Sequence, residues 1–276
     1  MSGHPQENET SGAASEPAFN VPGALLYLIA ALVIVFLVSQ ILSRAAYVEL
    51  LLWFSLIPAR FGGAVESAQS MVYPGGLAAD MWTFLTYTFL HGGWGHLIAN
   101  SVVLLAFGAP VMRRLGVPRF FLFYFFCGVI GGAAHVLVYH GSLIPVVGAS
   151  GAISGLVGGA ARFVFLAGGP LGGLGPGAGD DRLRREGAPA ARAGIVEALT
   201  DGRTLIFVAA WIGINILFGA TGLSITGGVA NVAWEAHLGG FAAGLLAFGL
   251  FDPPAYSASG GPGNVGYGDW GGGKGE

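Results

Sequence analysis

Apolar residues in this chain are gathered into long runs rather than scattered, and that arrangement limits the folds open to it. Six runs carry few or no charges: Pro22–Leu42, Trp94–Val111, Pro118–Tyr139, Ser150–Ala167, Thr204–Ala220 and Val232–Phe251. A helix needs roughly 20 apolar residues to cross ~30 Å of hydrocarbon. In lipid the backbone must satisfy its own hydrogen bonds, so each run predicts a spanning helix. The expected fold class is all-α, a polytopic membrane protein with a six-transmembrane-helix bundle and a long first loop. Composition agrees, since 54% of the 276 residues are hydrophobic and only 10% are charged. The run Ala45–Pro58 is shorter and contains Glu49. It predicts an interfacial or re-entrant helix in the first loop, and counting it as a span gives a seven-span rival.

The flanks set the expected limits of the folded part. Met1–Asn20 is polar and acidic, with no Lys or Arg, so the first run is expected to be a retained helix and not a cleaved signal. From Pro253 onward the chain is Gly-rich, which predicts a disordered tail. A transmembrane domain is therefore expected over residues 21–252, with a flexible loop at 168–203. Arg113, Arg114 and Arg119 lie between the second and third runs, and Arg182, Arg184, Arg185, Arg192 and Arg203 between the fourth and fifth. Arg162 is expected to snorkel on the same side, while the opposite loops hold Arg44 and Arg60. The positive-inside rule then places both termini in the cytoplasm. It also puts the connections before Ser150 and His237 on the other side. The net charge of -3, with no basic stripe, offers nothing to nucleic acid, and the single Cys127 excludes an intramolecular disulfide.

Two polar residues near the ends of apolar runs carry the chemistry. Ser150 lies in Gly148-Ala149-Ser150-Gly151 and His237 in Ala236-His237-Leu238-Gly239-Gly240. A hydroxyl and an imidazole are the parts of an activated serine nucleophile and its base. A lone serine in a membrane helix is ordinarily a packing residue. The pair at matched depth shifts the reading to catalysis. His96 and Asn100 stand four apart on one helical face. With the Ser150 amide at a helix start, they could donate to a tetrahedral oxyanion. Gly151, Gly155 and Gly159, and Gly240 and Gly244, form small-residue stripes that would let the two helices approach. No third member of a triad is apparent. Asp80 belongs to the first loop and Glu235 faces away from His237.

These motifs resemble the rhomboid family of intramembrane serine proteases. His91-x4-His96-x3-Asn100, the Ser150 motif and the His237 motif occur in the family's order on the second, fourth and sixth runs. The resemblance implies Ser150 as nucleophile and His237 as general base. It implies that His96, Asn100 and the Ser150 amide stabilise the oxyanion, with Gly148 shaping the approach to Ser150; Gly151, and His91 at the helix mouth, are expected to shape the site. It also implies substrates that are transmembrane helices of other proteins, no metal or organic cofactor, and a multi-pass protein whose expected setting is a bacterial inner membrane. The chain departs from the family where an aromatic residue often stacks on the histidine one turn after the nucleophile. Here that position is Ser154. An inactive rhomboid-like protein that binds transmembrane clients is the second expectation. Zinc-protease chemistry is a poor fit, since His91 and His96 lack the His-Glu-x-x-His pattern. Gly177-Ala178-Gly179-Asp180, which resembles an aspartyl-protease string, falls in the hydrophilic loop.

Overall fold

Helices form where the apolar runs predict them, and they are arranged around one central, short helix. The computed structural model describes residues 21–61, 73–166, 171, 192–221 and 233–252. The expected terminal tails, most of the loop at 168–203 and the Gly177–Asp180 string lie outside these residues. In chain order the helices are α1 (Gly23–Ile41), α2 (Arg44–Phe54), α3 (Gly76–Thr86), α4 (Trp94–Val103), α5 (Ala109–Leu115), α6 (Val117–Val138), α7 (Ser150–Ala160), α8 (Ile195–Thr200), α9 (Gly202–Thr221) and α10 (Trp234–Phe251). Among the described residues there is no strand beyond one isolated antiparallel bridge, Leu56 with Val146. A five-residue π turn, Leu104–Gly108, joins α4 to α5 into one span. Pro110 follows it, and a proline ring in a regular helix would clash with the carbonyl four residues earlier. The wider turn is a usual way to absorb that conflict.

Five helical stretches are long and apolar enough to cross a membrane: Gly23–Ile41, Trp94–Leu115, Val117–Val138, Gly202–Gly219 and Trp234–Phe251. On α1, Leu25, Leu28, Leu32 and Phe36 turn inward at helical spacing, while apolar Tyr27, Ile34 and Ile41 face outward. Apolar side chains on the outside of a helical bundle fit a lipid surround. The expected interfacial segment is α2, an 11-residue helix with no buried residue. That length rises only ~16 Å, too little to span, which removes the seven-span alternative.

The expected fourth span, Ser150–Ala167, needs correction. Its helix α7 ends at Ala160 after 11 residues, and turns follow. Arg162 explains the stop. Its guanidinium is buried and does not snorkel outward. It donates to the carbonyls of Ala193, at 2.7 and 3.0 Å, and of Leu245, at 2.7 Å. The Ala193 amide bonds back to the Arg162 carbonyl at 2.9 Å. A charge taken out of water requires such partners. They tie the end of α7 to the segment before α8, which itself is a short helix within the expected loop.

Residues 151–160 of α7 are all buried, and they pack between α6 and α10 at backbone distance. A β-carbon on Gly240 would overlap the Gly151 carbonyl, and one on Gly244 the Gly155 carbonyl. A β-carbon on Gly131 of α6 would lie 2.6 Å from the Ala236 carbonyl oxygen. Of the expected stripe on α7, Gly151 and Gly155 meet α10 as anticipated. Gly159 packs on the rings of Phe123 and Phe248, and Gly158 takes the next backbone contact, against Phe241. A helix turns once every 3.6 residues, so the contact line runs 151, 155, 158 and leaves the strict four-residue row.

Candidate active site

The first loop fixes the segment that presents Ser150. Leu56 exchanges backbone bonds with Val146 at 3.1 and 2.8 Å, and the Ala59 amide donates to Ser142 at 2.9 Å. Tyr87, at the end of the loop, accepts from the Gly148 amide at 2.9 Å. Its hydroxyl donates to the Gly128 carbonyl at 2.7 Å. The Tyr87 phenol is fully buried in this position, and burial pushes its ionisation well above the ordinary tyrosine range. Gly148 adopts φ +126, a conformation that side-chain-bearing residues rarely take, and then α7 begins at Ser150. Ser150 is thus the first helical residue, and its amide is one of the N-terminal donors that no helical carbonyl satisfies.

Ser150 Oγ lies 2.7 Å from Nε2 of His237, on α10. The two residues are half-buried. The contact depends on the glycine interface, because Gly151 and Gly240 lie within one turn of them. On α4, His96 Nε2 would be 2.6 Å from a β-carbon placed on Gly148, and Asn100 Nδ2 would be 3.7 Å from it. Glycine at 148 therefore leaves room for both side chains against the strand-like approach to Ser150. Asn100 is buried, and its Nδ2 has no hydrogen-bond partner among the described residues. A buried, unpaired amide donor costs free energy, so its survival beside Ser150 calls for an explanation. The Gly92 amide reaches His96 Nδ1 at 3.5 Å, a long contact. It leaves Nε2 as the hydrogen-bearing nitrogen facing Gly148. The two residues thus present donors to the same place.

His91 lies outside this contact. It is buried at the mouth of α4, with its ring 5.1 Å from that of His96 and its Nδ1 3.3 Å from the Phe89 carbonyl. Burial, with the neighbouring His96 adding to it, lowers its pKa to about 4. The acids stand away from His237. Asp80 pairs with Arg60 at 3.2 Å. Glu235 accepts from the Tyr139 hydroxyl at 2.8 Å and lies 3.4 Å from His135 Nδ1.

One residue at the site was not anticipated. Asn215 of α9 places Oδ1 2.6 Å from Nδ1 of His237. A signal for it was present, because Asn215 is the one amide side chain inside an otherwise apolar run. Polar groups within spans usually face the bundle interior and bond there. Its partner could not be read from the run itself.

A rhomboid-domain profile matches residues 78–176, which include His96, Asn100 and Ser150 but end before α9 and α10. Human Rhomboid-related protein 3 is 41% identical over 89 residues, 32% of this chain and 22% of that protein. Putative rhomboid protease YdcA of Bacillus subtilis is 38% identical over 79 residues, 29% of this chain and 39% of the relative. Rhomboid-like protease 3 of Toxoplasma gondii is 27% identical over 150 residues, 54% of this chain and 52% of the relative. The chain spans well under two thirds of the length of each of these relatives. Fold and site define a multi-pass helical membrane protein with a serine and a histidine in contact at the start of two packed helices. Residues 78–176 of this chain match a rhomboid domain.

Proposed function

We propose that this protein is an intramembrane serine endopeptidase that cleaves transmembrane helices of other membrane proteins. The observation that carries the reading is the 2.7 Å contact between Ser150 Oγ and His237 Nε2. In this reading Oγ attacks the carbonyl carbon of the scissile peptide while His237 takes its proton. The oxyanion that forms accepts from the Ser150 amide, His96 and Asn100. His237 then returns the proton to the leaving amine as the C–N bond breaks; water, deprotonated by His237, attacks the acyl carbon, and His237 gives that proton back to Ser150 Oγ as the carboxylic acid leaves. Gly148, Gly151 and His91 shape the approach without entering the chemistry. The steps call on no metal or cofactor.

Topology supports where the chemistry would sit. Ser150 and His237 begin their helices, and the far end of α10 carries Asp252, which pairs with Arg114 and Arg192. Arg114 and Arg192 thus lie at the end opposite the proposed site. With that end cytoplasmic, the site opens toward the other leaflet. Both termini then lie in the cytoplasm, in the expected setting of a bacterial inner membrane. The folded unit in this reading is residues 21–252, with tails at either end.

The test is cleavage of a reporter transmembrane helix in liposomes together with labelling by a fluorophosphonate probe. Wild-type protein is expected to cleave and to label, and Ser150→Ala and His237→Ala to do neither while keeping their fold. Cleavage that survives Ser150→Ala rejects the reading. Binding of the helix with neither labelling nor cleavage favours the client-binding alternative.

A further inference from the structure

We infer that Asn215 is a positioning residue that fixes the tautomer and ring orientation of His237, so that the site is a Ser150–His237–Asn215 relay drawn from three helices. The inference rests on the proteolytic reading above and deepens it.

Asn215 is buried, and its Nδ2 donates to the carbonyl of Trp211, one turn earlier on α9, at 2.7 Å. Turning the amide over would set Oδ1 against that carbonyl oxygen, two acceptors facing one another. The Trp211 bond therefore commits Oδ1 to the His237 side, where it lies 2.6 Å from Nδ1. An amide oxygen can only accept, so Nδ1 carries the hydrogen. In a neutral imidazole Nε2 then holds the lone pair. That lone pair faces the Ser150 hydroxyl at 2.7 Å, and the hydroxyl donates to it. This is the tautomer that a general base requires, and a second bond at the far ring nitrogen is the usual means of setting it.

The acids nearest His237 among the described residues are engaged elsewhere. Asp80 is held by Arg60, and Glu235 by Tyr139 and His135. Ser154, one turn after Ser150, is buried and offers no ring. Among the described residues no aromatic side chain stacks on His237. The same bond assists the chemistry. When His237 accepts the Ser150 proton, the Asn215 carbonyl dipole stabilises the positive imidazolium without adding a net charge to the membrane interior. The titratable groups that face His237 from neighbouring helices are His96 on α4 and His135 on α6, with Glu235 on α10 itself.

The test compares wild type, Asn215→Ala and Asn215→Asp as purified full-length protein in liposomes. It reads kcat and KM for the reporter helix across pH, and thermal unfolding. Asn215→Ala removes the acceptor, and kcat is expected to fall on the order of 10²-fold or more with KM little changed. Asn215→Asp keeps an acceptor and adds a charge. It is expected to regain much of the lost kcat, with the acid limb of its pH profile moved to higher pH because a carboxylate favours the imidazolium. Wild-type kcat in Asn215→Ala overturns the inference. So do losses in both variants that merely track the folded fraction, with the acid limb unmoved. Ser150→Ala, run alongside, separates the two levels. If it is inactive while Asn215→Ala behaves as wild type, only this inference fails. If it is active, the proteolytic reading fails as well.

Discussion

Gly244 of α10 lies against Gly155 of α7 so closely that a β-carbon on Gly244 would overlap the Gly155 carbonyl. The contact is about two turns along α10 from His237, and it sets the separation of the helices that carry His237 and Ser150. Gly244→Val must force them apart. Overpacking of this kind costs typically about 1–3 kcal/mol, and more where backbone meets backbone. The variant is expected to lose thermal stability in detergent and to lose probe labelling at Ser150 before it unfolds. Gly213→Ala is the control, since nothing lies within 4 Å of a β-carbon there. It should unfold at or slightly above the wild-type temperature.

Asn100 Nδ2 is buried and unpaired beside Gly148. If it donates to the developing oxyanion, its contribution arises in the transition state alone. Asn100→Ala should lower kcat by roughly 10²–10³-fold and leave KM near wild type. An equal rise in KM with kcat unchanged would assign Asn100 to substrate binding instead. Steady-state cleavage of the reporter helix distinguishes the two.

At the other end of the bundle, Asp252 accepts two bonds from Arg114, at 2.8 and 3.0 Å, and lies 3.4 Å from Arg192. The Asp252 side chain is 3% exposed and that of Arg114 14%. Removing one partner of such a buried ion pair costs on the order of 3 kcal/mol. Asp252→Asn should lower the unfolding temperature yet keep kcat at temperatures where the variant stays folded. In the Arg114→Met, Asp252→Asn double variant, the loss should be smaller than the sum of the single losses.

His91 supplies a pH dependence of stability. Its pKa is lowered to about 4 in the folded protein, against ~6.5 in an unfolded chain. Above pH ~6.5 the ring is neutral in both states and costs nothing. Between pH ~6.5 and about 4 the unfolded chain binds the proton and the folded protein resists it, so stability falls as pH falls. His91→Leu should flatten the slope of unfolding temperature against pH in that window. A slope equal to that of wild type would show that other groups carry the acid sensitivity.

Orientation can be read with thiol labelling, because the single Cys127 is buried. Cysteines introduced at Arg192 and in the C-terminal tail should both react from the cytoplasmic side in membranes. Reaction from opposite sides would break the proposed topology.

The sequence by itself determined the helical, membrane-spanning character of this protein. Apolar runs of that length leave lipid-embedded backbone one economical way to bond. It also marked Ser150, His237, His96 and Asn100 as candidates, because a hydroxyl, an imidazole and two further donors fall together near the ends of apolar runs, and it marked the glycine stripes beside them. Tertiary structure alone decided that α7 stops at Ala160, that Arg162 turns inward, and that Gly158 rather than Gly159 meets the α10 backbone. It alone brought Asn215 to His237, across 22 positions of sequence. The physical reason is common to all four. Helical periodicity assigns each residue a place on its own helix. The rotation and crossing of one helix against another follow from how their surfaces pack, and no single run contains that information.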